Sequence, residues 1–192
     1  ERPLRRVFVP AFYIDRYEVT NRQFQQFKRD HEFEAGEEDL PVTFVFKHEA
    51  EACCRSVGKR LPTNAEWEKA ARGTDGRTYP WGDEFKAGYS NLQERHTAGQ
   101  RKLPGGSFPK GVSPYGCHDL CGNVWEWVSD VHTDTSWFGG RSDSNPCGII
   151  RGGAHSYSSF QGRTSYQGLE ALNATCHDVG FRCAMDAIPK RA

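Results

Sequence analysis

Charge of one sign is what this sequence most plainly lacks. Its 25 lysines and arginines balance 25 aspartates and glutamates. Without a net basic field to collect phosphates, non-specific nucleic-acid binding is excluded as a primary role. A polybasic membrane-surface protein is excluded on the same ground. Mean hydropathy is −0.74, and no apolar run approaches the ~20 residues that cross a bilayer, so the chain is not membrane-spanning. There is a single methionine, and long aliphatic stretches are few, which argues against a helical bundle. Internal repeats and low-complexity tracts are missing. There is no apolar h-region, and the chain opens on Glu1 rather than Met. It reads as a processed or trimmed product, with any signal peptide already gone.

What is abundant are turn formers and rings. The 192 residues hold 20 Gly, 10 Pro, 12 Phe, 7 Tyr and 5 Trp. That mixture describes a loop-rich domain with short strands. Aromatics at 12% bury enough surface to order such a chain. The length fits one domain spanning residues 1–192, at which size ~70% of the unfolded surface is buried. Seven cysteines are more than a reducing compartment usually favours, so an extracytoplasmic location, periplasmic or secreted, is expected. The odd number leaves at least one thiol free or paired outside the chain.

Local patterns predict the elements. Val7 to Asp15 alternates loosely and reads as strand. Thr20 with Gln23, and Thr63 with Glu66, have capping-box form. They open helices over 21–29 and from Thr63 to near Arg72–Gly73. Lys47 to Val57 has helical character and stops at Gly58. Pro41 to Phe46 is apolar enough for a strand. Asn123 to Val128, Ile149 to Gly153 and Val179 to Cys183 read as buried strands. Two or three helices followed by an irregular β-rich half make an α+β domain. So much loop calls for internal fixing by buried rings, disulfides or ions.

Six separated strings then matter together: Asp15-Arg16-Tyr17-Glu18-Val19-Thr20-Asn21, Gly58 through Glu68 (Gly-Lys-Arg-Leu-Pro-Thr-Asn-Ala-Glu-Trp-Glu), Tyr79-Pro80-Trp81-Gly82, Gly122-Asn123-Val124-Trp125-Glu126-Trp127, Arg151-Gly152-Gly153 and Gly180-Phe181-Arg182-Cys183. In order and spacing, the chain resembles the formylglycine-generating enzyme (sulfatase-modifying factor) family over about residues 1 to 185. The family's usual N-terminal strand falls before Glu1. The resemblance implies a C-type-lectin-like fold of low regular secondary structure with bound calcium. The family spans enzymes, non-catalytic paralogues, sulfoxide-synthase domains and hypervariable ligand-binding proteins, so fold follows from membership more firmly than function.

In the enzymes of this family, Arg-Gly-Gly continues as Ser-x-x-Cys-x-x-x-x-Cys, and the two thiols hold copper. Thiolate is the soft ligand that suits Cu(I). Here those positions are Ala154, Tyr157 and Gly162, so formylglycine-generating activity is not expected. The resemblance also pairs Cys54 with Cys183 as a disulfide. Cys117 and Cys121 read either as a local disulfide or as half of a metal site; no Cys-x-x-Cys and no close His pair accompanies them, which argues against zinc. The resemblance places a calcium ion on the side chains of Asp119 and Glu126 and the carbonyls of Gly122 and Val124. The plainer reading makes Asp119 a turn cap and Glu126 an arginine's partner. A second calcium would use Asn91 and the carbonyl of Leu92, but the loop from Glu94 to Lys102 has no Asp at the expected place.

The stretch from Ala154 to His177 is rich in Ser, Tyr, Gln, Gly, Asn and His, a mixture suited to adaptable contact surfaces. Trp125, His155, Ser156, Tyr157, Arg163, Tyr166 and His177 are its candidate ligand-facing residues. Trp137 and Phe138, in a Gly/Ser-rich loop, suit a contact surface as well. The expected function is a calcium-stabilised, non-catalytic module that holds a small ligand or protein partner, an accessory subunit of an extracytoplasmic complex being one form of it. The alternative is a copper- or iron-dependent oxidoreductase using His155, His177, Tyr157 or a cysteine pair; against it, both histidines read more simply as ordinary surface or loop residues.

Overall fold

Two threonines start two of the three helices. A computed structural model describes residues 6–95, 101–133 and 146–187. The Thr20 hydroxyl accepts the Gln23 N–H at 3.3 Å, and the Gln23 side chain accepts the Thr20 N–H at 3.0 Å. This reciprocal box opens α1 (Asn21–Phe27). Thr63 and Glu66 do the same at 3.1 and 2.8 Å for α3 (Asn64–Arg72). Between them, α2 (Lys47–Ser56) starts at Phe46, whose N–H is accepted by Glu49. Gly58 and Gly73, both at positive φ, turn the chain out of α2 and α3, as glycine does at a helix C-terminus.

Strand β1 (Phe12–Ile14) pairs antiparallel with β6 (Ala184–Asp186). A second sheet has the order β4-β3-β2-β5, built from β2 (Trp125–His132), β3 (Cys147–Arg151), β4 (Gln167–Ala171) and β5 (Val179–Gly180). The β2–β3 and β3–β4 pairings are antiparallel and β2–β5 is parallel. One core packs α1 and α2 with Trp125, Trp127, Ile150 and Phe181. Another sets Trp67, Ala70 and Ala71 of α3 against Leu120, Val128 and Ile149. The architecture is the expected α+β, C-type-lectin-like one.

Several strand expectations need correction. The stretch from residue 7 to 15 contributes only Phe12–Ile14 as strand. Pro41 to Phe46 is not a strand: Pro41 makes one isolated bridge to Thr20, and Phe44 sits at φ +57°, which breaks extended backbone. Of the expected strand Val179–Cys183 only Val179–Gly180 is strand, and β6 begins just beyond it at Ala184, in the other sheet. β4 was unforeseen. Its sequence carries Gly168, a weak strand former, yet a Cβ there would meet Ile150 at 2.9 Å, so the neighbouring strand requires the glycine.

At the centre lies an ion pair with no exposure to water. Arg182 donates to both oxygens of Glu126 at 2.7 Å. Its remaining N–H groups reach the carbonyls of Asp15, Arg16 and His118. Trp67 donates its indole N–H to Glu126 at 2.7 Å. Arg151, also buried, pairs with Glu68 at 2.8 Å and lies over the Trp67 ring. The Trp-Glu-Trp, Arg-Gly-Gly and Gly-Phe-Arg strings therefore converge on one structural node.

Candidate functional site

Strand β3 ends at Arg151, and Gly152 and Gly153, at φ +96° and +75°, swing the chain into a loop over 154–162. The loop is anchored by the His155 N–H on the Asn123 carbonyl at 2.9 Å. From it Tyr157 meets Trp125 edge-on, with ring centroids 5.3 Å apart. Tyr166 tilts against Trp125 at 6.0 Å, and Phe160 packs on Tyr166 at 5.4 Å. The Arg163 guanidinium covers Phe160 at 3.9 Å. Burial pushes the Tyr157 phenol up, and the Asp178 carboxylate adds to the shift.

Not all of the residues expected to face a ligand reach the surface. Ser156, Tyr157 and His177 are exposed, and Arg163 and Tyr166 are half-buried. Trp125 and His155 are buried, so Trp125 is a floor under Tyr157 and not a contact in itself. Phe160, 55% exposed, belongs to the patch and escaped the sequence reading. Trp137 and Phe138 lie outside the described residues. His155 and His177 face each other edge-on at 6.4 Å. Together with Glu34, Glu37, Arg101 and Lys102 they line a cavity of about 520 Å³. The Nδ1 of His155 is 3.0 Å from the Asn123 carbonyl; since a carbonyl only accepts, Nδ1 carries a proton and donates it there.

Residues 1–187 match the model of the sulfatase-modifying factor enzyme 1-like domain. The chain belongs to this family. It is 27% identical to inactive C-alpha-formylglycine-generating enzyme 2 from Bos taurus, over 97% of this chain and 81% of that one. It is 26% identical to formylglycine-generating enzyme from Mus musculus, over 98% and 70%. Hercynine oxygenase from Mycobacterium tuberculosis is 35% identical over 67% of this chain, but only 40% of its own length is covered. Among solved structures, CarF superposes with a TM-score of 0.77 at 21% identity, covering 92% of this chain and 87% of that one. Variable protein 1 of Treponema denticola gives 0.75 at 19%, covering 91% and 84%. Active and inactive relatives thus share this sulfatase-modifying-factor-type fold, and the site residues must separate them.

The copper pair of the enzymes does not fit here. Tyr157 and Gly162 supply no thiolate, and Gly162 packs closely against the side-chain ends of Cys121 and Leu92. A Cβ built on Gly162 would lie 2.8 Å from the Cys121 sulfur and 2.7 Å from Leu92 Cδ1. Burial drives the Cys121 thiol far above the ordinary range, so without a metal beside it this thiol stays protonated and is a poor nucleophile.

The candidate calcium loop is bent as an ion-binding turn would be. Asp119 and Asn123 adopt φ +60° and +67°. Asp119 is buried and accepts the Gly106 N–H at 2.7 Å. Glu126 is the misfit, its two oxygens being held by Arg182 and Trp67; this was the plainer reading of that residue. Among the described residues no three His, Cys, Asp or Glu stand together as a metal cluster. In favour of a cation is charge. Glu18, missed from sequence, is buried and accepts from Asn123 Nδ2 at 2.7 Å. Burial raises its carboxyl well above the usual range, and Asp119 and Glu126 raise it further. Three buried carboxylates thus share one buried guanidinium. At the second candidate site, Asn91 Nδ2 donates to the Asn123 side chain and the Arg101 carbonyl, and Leu92 is fully buried.

All seven cysteines are free thiols in this structure. Cys54 and Cys183 have their sulfurs in contact at 3.1 Å. Cys117 and Cys121 are both buried and make no bond to each other.

Proposed function

We propose that the protein is a non-catalytic member of its family, an extracytoplasmic module that holds a ligand or protein partner through the 154–178 face. The observation that carries the reading is the loss of both thiols: Tyr157 and Gly162 stand where the enzymes of the family have their cysteine pair. An inactive relative that aligns with nearly the whole chain supports it. Tyr157, Phe160 and Tyr166, with Arg163, supply rigid contact area, and Ser156 and Ser158 supply polar adaptability. Calcium is proposed as a structural ion at Asp119 and the carbonyls of Gly122 and Val124, with Glu18 as the further carboxylate in place of the engaged Glu126. The seven cysteines support an oxidising compartment, with Cys54 and Cys183 paired there.

The test is direct. Purified protein supplied with copper, oxygen and a cysteine peptide of sulfatase type is expected to leave the cysteine unchanged by mass spectrometry. Aldehyde formation by the parent protein ends this reading. A metal-dependent oxidoreductase is the second reading, favoured by the facing pair His155 and His177. Stoichiometric copper or iron in protein purified without added metal would select it; calcium alone supports the module.

A further inference from the structure

A second concavity lies away from the 154–178 face and shares no residue with it. Strand β1, the C-terminal half of α3 and the turn at 115–117 line about 660 Å³, within the range that holds a small organic ligand. Phe12, Ile14, Ala70 and Tyr115 form apolar walls, and Tyr115 is 51% exposed. Arg16 and Lys69 also line the cavity, and no acidic residue does.

Among the described residues neither cation has a carboxylate partner. Arg16 donates to His118 Nε2 at 3.1 Å and lies over the Tyr17 ring. Lys69 has only a long contact, 3.3 Å, to the Val9 carbonyl. A guanidinium and an ammonium with spare donors, on the rim of an apolar cavity, are satisfied best by an anion whose body fills that cavity. The rings of Phe12 and Tyr115 prefer a flat partner in offset or edge-on contact. We infer that this cavity binds a small aromatic carboxylate, its ring system against Phe12, Ile14 and Ala70 and its charge toward Arg16 and Lys69. The inference stands independently of whether the 154–178 face binds anything.

Calorimetric titration of the purified chain with 2-naphthoate and with its neutral isostere 2-naphthamide tests it. Saturable binding of the carboxylate is expected, with the amide weaker by about tenfold, which is 1.4 kcal/mol. Arg16→Gln with Lys69→Gln is expected to erase most of that preference. Both positions are outside the core, so the variant should keep the parent's melting temperature. Ala11→Trp, an exposed substitution on the lining, should block both compounds. Equal affinity for acid and amide in the parent overturns the inference. So does binding that survives Ala11→Trp, or no saturable binding at all.

Discussion

Losing the Glu126 carboxylate would strand Arg182. Both groups are fully buried, and an unpaired buried charge costs ~3–5 kcal/mol, whereas replacing both partners by apolar groups can be nearly neutral. Glu126→Gln is therefore expected to lower stability by about that much in urea titration. Glu126→Leu with Arg182→Met should recover part of the loss, limited by the three carbonyls that Arg182 now satisfies. A loss below about 1 kcal/mol for Glu126→Gln would show that the pair does not organise the node. At this scale the sequence was half legible. The absence of cysteine at 157 and 162 is read off directly, because each position follows Arg-Gly-Gly by a fixed count. That Cys121 packs into the space at Gly162 joins residues far apart in the chain, and no local pattern carries it. Glu18 was hidden likewise: its carboxylate is functional-looking only once Asn123 and Asp119 are seen beside it.

Helix α1 carries a pH dependence through the residue that closes its packing. His31 stacks edge-on against Phe24 at 5.0 Å and meets Asn21 Oδ1 with Nε2 at 3.1 Å. Burial lowers its pKa, and Lys28 and Lys102 lower it further, against smaller opposing effects of Glu49 and Asp30. With the folded value below the unfolded value of ~6.5, the unfolded chain takes up the proton first. The contribution is complete above pH ~6.5 and is lost as pH falls through that value toward the folded pKa. Urea midpoints measured at pH 7.5, 6 and 5 should fall more for the parent than for His31→Gln; identical slopes would remove the assignment. Elements such as α1 and α3 were readable because a capping box is a local signal written within four residues. β4 was not, since its pairing with β3 is what makes Gly168 acceptable, and Phe44 shows the converse, an apolar run denied strand geometry by a single positive φ.

Across the whole molecule, the loops rather than the helices need fixing, and two links could do it. The Cys54 and Cys183 sulfurs join α2 to the approach of β6, 129 residues apart in sequence. A bond there would contribute ~4–5 kcal/mol in the chain-entropy model. Calcium at Asp119 would tie the turn before β2 to the 103–106 loop, whose Gly106 already donates to Asp119. It would also offset the surplus of buried carboxylates, which favours protonation in its absence. An ion held at about a hundred times its dissociation constant adds ~2.7 kcal/mol. At roughly 2–4 °C per kcal/mol for a chain of this size, millimolar calcium is expected to raise the melting temperature by about 5–10 °C over chelator. Asp119→Asn should shrink that shift, and reduction with dithiothreitol should lower the melting temperature of the parent but not of Cys54→Ser. The two contributions should add, because the sites lie on separate links. A melting curve indifferent to chelator would leave Glu18 and Asp119 neutralised by protons alone, and the loops held by the Glu126–Arg182 node without help from an ion.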